Sequence, residues 1–162
     1  FICHGTRLGL IELLYIKKKD RKSFIEVDYE YSYILAKKAF HAGCKKIAFI
    51  SAVGSNPKSL NLYLKTKGTT ENTIKQIGFK SIVFARPSHL LGIRKNQKNK
   101  LLISLFELFT NIVGLMMIRG LSKYKNIDAK IVAFSVVKEM KYAKNCINIL
   151  EYNNMGDIWR KK

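Results

Sequence analysis

The chain has 162 residues, 48% of them hydrophobic, enough for one sizeable core, and its two prolines and ten glycines exclude collagen-like, linker-like and low-complexity chains. Thirty basic residues against 11 acidic ones give a formal charge of +19, and 24 of the 30 are Lys. Lysine lacks the planar fork that reads guanine bidentately, so no specific nucleic-acid partner is expected and the charge reads as a solvated, lysine-rich surface. Cys3, Cys44 and Cys146 form no CxxC pair, and His4, His41 and His89 fall in no HxxxH or HExxH pattern. Neither a disulfide framework nor a zinc site is expected, and a reducing, cytoplasmic setting fits. The chain opens on Phe1 without a Met or a signal-peptide pattern, which suggests a truncated chain.

Residues 1 to 4 (FICH) read as the end of a buried strand, after which Gly5 and Thr6 turn the chain. The apolar run Leu8 to Ile16 is ambiguous, and the charge cluster Lys17 to Lys22 reads as a solvated loop. Ser23 with Glu26 fits a capping box, and Val27, Tyr31, Ile34, Leu35, Ala39 and Ala42 then recur at helical spacing up to Gly43. Ile47 to Ile50 predict a short strand ending at Ser51, followed by a turn through Asn56 and Pro57 and a helix at about residues 58 to 77. Ser81 to Ala85 predict another strand, stopped at Arg86 and Pro87. The stretch 101 to 118 is almost wholly apolar but carries Glu107, which favours a core or cleft helix over a membrane span and leaves peripheral membrane contact open. Ala129 to Met140 read as a helix and Ile147 to Glu151 as a last strand. Short apolar strands alternating with helices predict an α/β domain over 1 to 162 with a parallel, doubly wound sheet. Residues 1 to 95 would hold the sheet and a catalytic helix, and 96 to 162 a cleft segment.

Tyr63 and Lys67 form a YxxxK pair and, at i and i+4 of a helix, project from one face. An ammonium beside a phenol favours the phenolate, which would bring the tyrosine toward a working proton affinity for exchange with an alcohol or carbonyl. With eight Tyr and 24 Lys, about one such pair arises by chance, and Tyr15 with Lys19 and Tyr33 with Lys37 repeat it. Only Tyr63 follows a strand-end hydroxyl, Ser51, twelve residues upstream, at the sheet edge where open parallel sheets bind ligands. The next strand end carries Arg86 and Pro87.

Several ordered pieces resemble the atypical short-chain dehydrogenases/reductases, within the group similar to Tat-interacting oxidoreductases and nucleotide-sugar-epimerase-like proteins. They are CHGT at 3 to 6, FxxVDYEY at 24 to 31, AGCKK at 42 to 46, SAVGSNPKS at 51 to 59, YLKTKG at 63 to 68, RPSHLLGIR at 86 to 94 and KYKNIDAKIVA at 123 to 133. The resemblance implies a partial Rossmann-type sheet with NADP or NAD as cofactor. It implies Tyr63 as general acid/base, Lys67 holding the nicotinamide ribose and Ser51 binding a substrate oxygen. His4, Gly5 and Thr6 would lie along the cofactor, with Arg86, Pro87 and Leu90 closing near the nicotinamide. The substrate would be a small carbonyl, an alcohol or a nucleotide-sugar-like molecule. Relative to that family the sequence starts at what resembles the fourth strand and holds no GxxGxxG-like loop, the usual anchor of the pyrophosphate. The residues 7 to 22 are longer than the family pattern. The sequence therefore reads as an NAD(P)-dependent oxidoreductase, or alternatively as a non-catalytic binding module or remnant of one.

Overall fold

A computed structural model describes residues 1–6, 8, 10–88, 90–91 and 124–161. Three parallel strands, β1 (Lys46–Ile50), β2 (Ser81–Ala85) and β5 (Ile147–Leu150), lie side by side in that order, with Ile47 opposite Ile82 and Ile82 opposite Ile147. Two short strands, β3 (Leu90–Leu91) and β4 (Ile127–Asp128), pair separately. The strand expected over residues 1 to 4 contracts to one bridged residue. Ile2 donates its N–H to Ala48 O at 2.8 Å and accepts from Ile50 N–H at 3.1 Å, after which His4 turns away.

Alternate residues of each strand serve opposite faces, as the two-residue pleat requires. Ile47, Phe49, Ile82 and Phe84 join Ile2, Ala36, Ile74 and Phe79 in one core. Ala48, Val83 and Ala85 join Val132, Val136 and Met155 in the other. β1 and β2 are thus covered on both faces, which is why they read as unbroken apolar runs, whereas β5 leaves Ile147 and Ile149 exposed.

The helices are α1 (Leu10–Leu14), α2 (Arg21–Ile25), α3 (Ser32–His41), α4 (Leu62–Ile77), α5 (Ala129–Tyr142) and α6 (Tyr152–Arg160), with a π-helical segment at Glu26–Tyr31 between α2 and α3. Asn61 caps α4 by accepting from Leu64 N–H at 3.0 Å, and Gly78, at φ 103°, ends it in the left-handed conformation that glycine adopts freely. Asp128 caps α5 through Lys130 N–H.

Three local expectations are corrected. The cluster at residues 17 to 22 is not a loop throughout: Lys18–Asp20 form a 3-10 turn and α2 begins at Arg21. Ser23 lies inside that helix and Glu26 accepts from the Tyr31 hydroxyl at 2.9 Å, so no capping box forms there; one forms instead at Glu151 and Asn154. The expected stripe Tyr31, Ile34 and Leu35 is exposed, while Phe24, Asp28, Ser32 and Ala36 are buried. In a pure α-helix every fourth residue drifts about 40° around the axis. The wider π turn removes drift, keeping residues 24, 28, 32 and 36 against the sheet and α4. The apolar stretch at 101 to 118 lies outside the described residues. Among those described, no helix is long and apolar enough to cross a membrane.

Candidate functional site

The end of β1, the N-terminal half of α4, the turn after Ile2 and the π segment meet at one edge. Tyr63 and Lys67 lie one turn apart on α4. The Tyr63 ring packs against Phe24 with centroids 6.2 Å apart, and its hydroxyl has no hydrogen-bond partner among the described residues. Lys67 points under the helix: its ammonium lies 2.9 Å from Asp28 Oδ1, the side chains being 6% and 1% exposed, and 5.1 Å from the centre of the Phe49 ring. The other two YxxxK pairs lie away from this edge. Tyr15 and Lys19 are exposed, and Lys37 lies over the ring of Tyr33 on the surface of α3.

Asp28 is the residue that sequence reasoning missed. It was visible only as part of VDYEY, an acidic residue in a stretch otherwise read as amphipathic helix. Its Oδ2 accepts the Thr6 N–H at 2.7 Å, its Oδ1 meets Lys67, and its backbone carbonyl accepts from Ser32 and Thr70 hydroxyls at 3.0 and 3.3 Å. One carboxylate thereby ties the N-terminal turn to α4. A Cβ at Gly5 would stand 3.1 Å from Asp28 Oδ1 and 3.6 Å from Lys67 Nζ, so a glycine lets the turn sit on the ion pair. His4 is also held by the π segment. A carbonyl only accepts, so His4 Nε2 carries the proton that it donates to Val27 O at 3.0 Å, with Ser32 Oγ at 3.1 Å.

This surrounding alters the acid–base setting expected of Tyr63. Burial, and secondarily the charge of Asp28, push the phenol up from 10.0 to about 12 rather than down. Lys67 does not lower it, because its charge is matched by the nearer carboxylate. At neutral pH the group is a phenol, able to donate a proton and hydrogen-bond an oxygen.

Ser51 is buried at the end of β1. Ser55 Oγ donates to Ala52 O at 2.6 Å, so the Ser51 hydroxyl donates to Ser55 Oγ at 2.9 Å and keeps its lone pairs for other donors. Ser55 is the second missed residue, legible only as the other serine of SAVGS. The same loop is pressed onto α4 at Gly68, where an added Cβ would come within 2.5 Å of the backbone of Asn56 and Pro57.

Arg86, Pro87 and Leu90 are turned toward protein. Arg86 forms a fork with Glu71, Nε to Oε1 at 2.9 Å and Nη2 to Oε2 at 2.6 Å, which raises its proton affinity further. Pro87 accepts from Val53 N–H at 2.9 Å, and Leu90 packs against the Val83 core beside Ile127. The Ser88 hydroxyl donates to Lys125 O. The structure thus gathers Tyr63, Lys67, Gly5, Thr6 and Asp28, with His4 behind them, whereas Arg86 and Leu90 are engaged elsewhere. No group of acidic, His and Cys side chains fit for a metal exists among the described residues.

The architecture is that of a Rossmann-type protein. It is similar to RMD from Pseudomonas aeruginosa, solved with NADPH, at TM-score 0.58 and 12% identity over 92% of this chain and 56% of that one. It is similar also to a UDP-glucose 4-epimerase from Thermotoga maritima, solved with UDP-glucose, at TM-score 0.57 and 15% identity over 89% of this chain and 53% of the other. In sequence, the chain is similar to the protein FMP52, mitochondrial, of several yeasts. Identity is 42% over 77 residues with that of Lodderomyces elongisporus, 40% over 79 with that of Candida albicans and 37% over 73 with that of Saccharomyces cerevisiae. These matches take up 48%, 49% and 45% of this chain, and the chain spans only 32%, 34% and 32% of the relatives' lengths. No protein-family model matches. The relatives' mitochondrial naming overturns the cytoplasmic setting expected from the unpaired cysteines. Cysteine spacing reports redox conditions, and a reducing interior is not unique to the cytosol.

Proposed function

We propose that this chain supplies the proton-handling part of an NAD(P)-dependent oxidoreductase that acts on a small carbonyl, an alcohol or a nucleotide-sugar-like substrate in mitochondria. One observation carries the reading: a phenol with no hydrogen-bond partner among the described residues stands one helical turn from a buried lysine that lies against a glycine turn, at the carboxyl edge of a parallel sheet. The similar structures solved with NADPH and with UDP-glucose support the ligand classes.

The residues present fit the nicotinamide end of such a cofactor. Gly5 and Thr6 give a turn without bulk, and Lys67 stands 3.6 Å from where a Cβ at Gly5 would be. A bound nicotinamide would exchange a hydride with the substrate carbon. Tyr63, protonated through the neutral range, donates its proton to the oxygen that gains charge, which favours the reducing direction. Ser51, its own proton held by Ser55, accepts a hydrogen bond from a substrate hydroxyl. Asp28 holds Lys67 and the Thr6 backbone in place.

Titration with NADPH and with NADH, followed by nucleotide fluorescence and melting temperature, tests this. A ligand at one hundred times its Kd stabilises the folded form by about 2.7 kcal/mol. Saturable binding that Lys67→Ala weakens and Tyr63→Phe preserves supports the reading, and no binding to the folded chain overturns it. A second reading, a non-catalytic module, draws on the pairing of Lys67 with Asp28 and of Arg86 with Glu71. It predicts binding without any turnover, with Tyr63→Phe indistinguishable from the parent.

A further inference from the structure

The topology gathers lysines at the sheet edge opposite the site. In this parallel arrangement the strands begin where the helices end: Cys44 N–H bonds to Ala39 O, Lys80 N–H to Lys45 O, and the Lys46 ammonium to Met140 O. The starts of β1, β2 and β5 and the last turns of α3 and α5 therefore bring Lys38, Lys45, Lys46, Lys80, Lys141 and Lys144 to one edge, all exposed. None of the six is ion-paired with a carboxylate among the described residues. Of the acidic side chains described nearby, Glu139 accepts from the Asn148 amide, and Asp157, which lines a hollow with Glu139 and Ile147, pairs with Arg160. Lysines near helix C-termini offset a partial charge of about half a unit per helix, so two such ends account for roughly one of six.

Apolar groups interleave with these lysines. Tyr142, Phe40 and Ile147 are 64%, 37% and 51% exposed, and a groove of about 340 Å³ between α3 and α4 is lined by Tyr33, Phe40, His41 and Ile77. Exposed lysine beside exposed aromatic and aliphatic side chains matches the interface of an anionic bilayer, where flexible cations meet headgroups and ring edges enter the boundary. A nucleic acid would be better served by Arg; among the described Arg, Arg86 is forked onto Glu71 at the opposite edge, and Arg160, whose neighbour Lys161 accepts from Lys138 of α5, is paired with Asp157. We infer that this edge is a docking surface for an anionic phospholipid membrane. The Tyr63 edge then faces away from the lipid into water. The proposal stands on the lysines and aromatics alone, independently of any oxidoreductase activity.

Co-sedimentation with phosphatidylcholine vesicles, with and without phosphatidylserine, tests it at low and moderate salt. The chain is expected to sediment with the anionic vesicles and not with the neutral ones. The triple change Lys45→Glu, Lys80→Glu and Lys144→Glu weakens this on the order of a hundredfold, because each basic residue near the surface contributes about fivefold. Lys17→Glu, Lys18→Glu and Lys19→Glu alter net charge equally but lie beyond the start of a helical run of 21 residues that ends at His41, about 30 Å away. That triple is expected to lose less than about threefold by the same per-residue reasoning. Tyr142→Ala should lower the binding that survives moderate salt. Equal losses for the two triples, or no anionic-vesicle binding, would overturn the proposal. So would tighter binding of a mixed-sequence single-stranded RNA that the edge triple abolishes, which would assign the edge to nucleic acid. Circular dichroism checks folding, and the neutralising Lys→Gln triple replaces the Glu triple if the latter unfolds.

Discussion

Changing Asp28 to Asn keeps the shape of the side chain and removes only its charge. Thr6 N–H can still donate to the amide oxygen, but Lys67, 6% exposed, loses its counter-ion. Deleting one partner of a buried ion pair costs about 3–5 kcal/mol, and the hydrogen bond that the amide oxygen still offers the ammonium returns about 1 kcal/mol. A net loss of about 3 kcal/mol corresponds, at this chain length, to a fall in Tm of roughly 6–12 °C. Thermal unfolding of the parent, Asp28→Asn, Lys67→Met and the double variant forms a cycle in which the coupling should be about 2 kcal/mol. The same substitution removes one of the two causes that raise Tyr63, so the phenol should titrate below about 12 in Asp28→Asn, read as the spectral difference from a matched Tyr63→Phe chain. A coupling below about 0.5 kcal/mol together with an unmoved phenol would refute the assignment of Asp28 as the partner that sets both groups.

The raised phenol also has a linkage consequence. A group that ionises at 10.0 when unfolded and at about 12 when folded leaves stability untouched below pH 10 and reduces it as pH rises from 10 to 12. Tyr63→Phe should remove about 2–3 kcal/mol of that alkaline loss, measured by urea unfolding at stepped pH, and an identical pH slope in both chains would contradict it. Gly68→Ala places a methyl 2.5 Å from the Asn56–Pro57 backbone and should cost at least the 1–3 kcal/mol typical of overpacking; an unchanged urea midpoint would show that the loop does not rest on α4. Arg86→Lys replaces the fork on Glu71 by a single point charge and should lose about 1.5–3 kcal/mol for one charged hydrogen bond, whereas equal stability would mean that Glu71 is satisfied without it.

β1 and β2 were legible because each is a short run buried on both faces, β5 because its isoleucines and leucine make a short apolar run even though Ile147 and Ile149 are exposed. The strand readings at Ile47–Ile50, Ser81–Ala85 and Ile147–Glu151 match the three within a residue. The start of α4 was placed about four residues early, since its cap is Asn61 and not the turn after Pro57. What was not legible follows from long-range pairing. Tyr63 and Lys67 can be read as sharing a helix face. That a carboxylate 39 positions upstream of Lys67 neutralises it cannot, because an aspartate in a helix ordinarily reads as solvent-facing. The buried face of the helix at residues 21 to 41 was misread for a related reason. Periodicity at 3.6 selected Tyr31, Ile34 and Leu35, and the change of pitch at Glu26–Tyr31 turned Asp28 and Ser32 inward instead. The mitochondrial naming of the relatives left no trace in the cysteine pattern used to infer location.

The π turn at Glu26–Tyr31 makes the geometry of this edge sensitive to a count of residues rather than to their identity. Each residue of α-helix turns the chain by about 100°, so a residue gained or lost there without a compensating change of pitch would swing everything upstream by roughly that angle relative to α4. Phe24 would leave the ring of Tyr63, and the basic turn at Lys18–Asp20 would pass to another side of the helix. Two chains of this type that differ by one insertion between residues 26 and 31 would therefore present different walls to the same phenol, even with every side chain at the site retained.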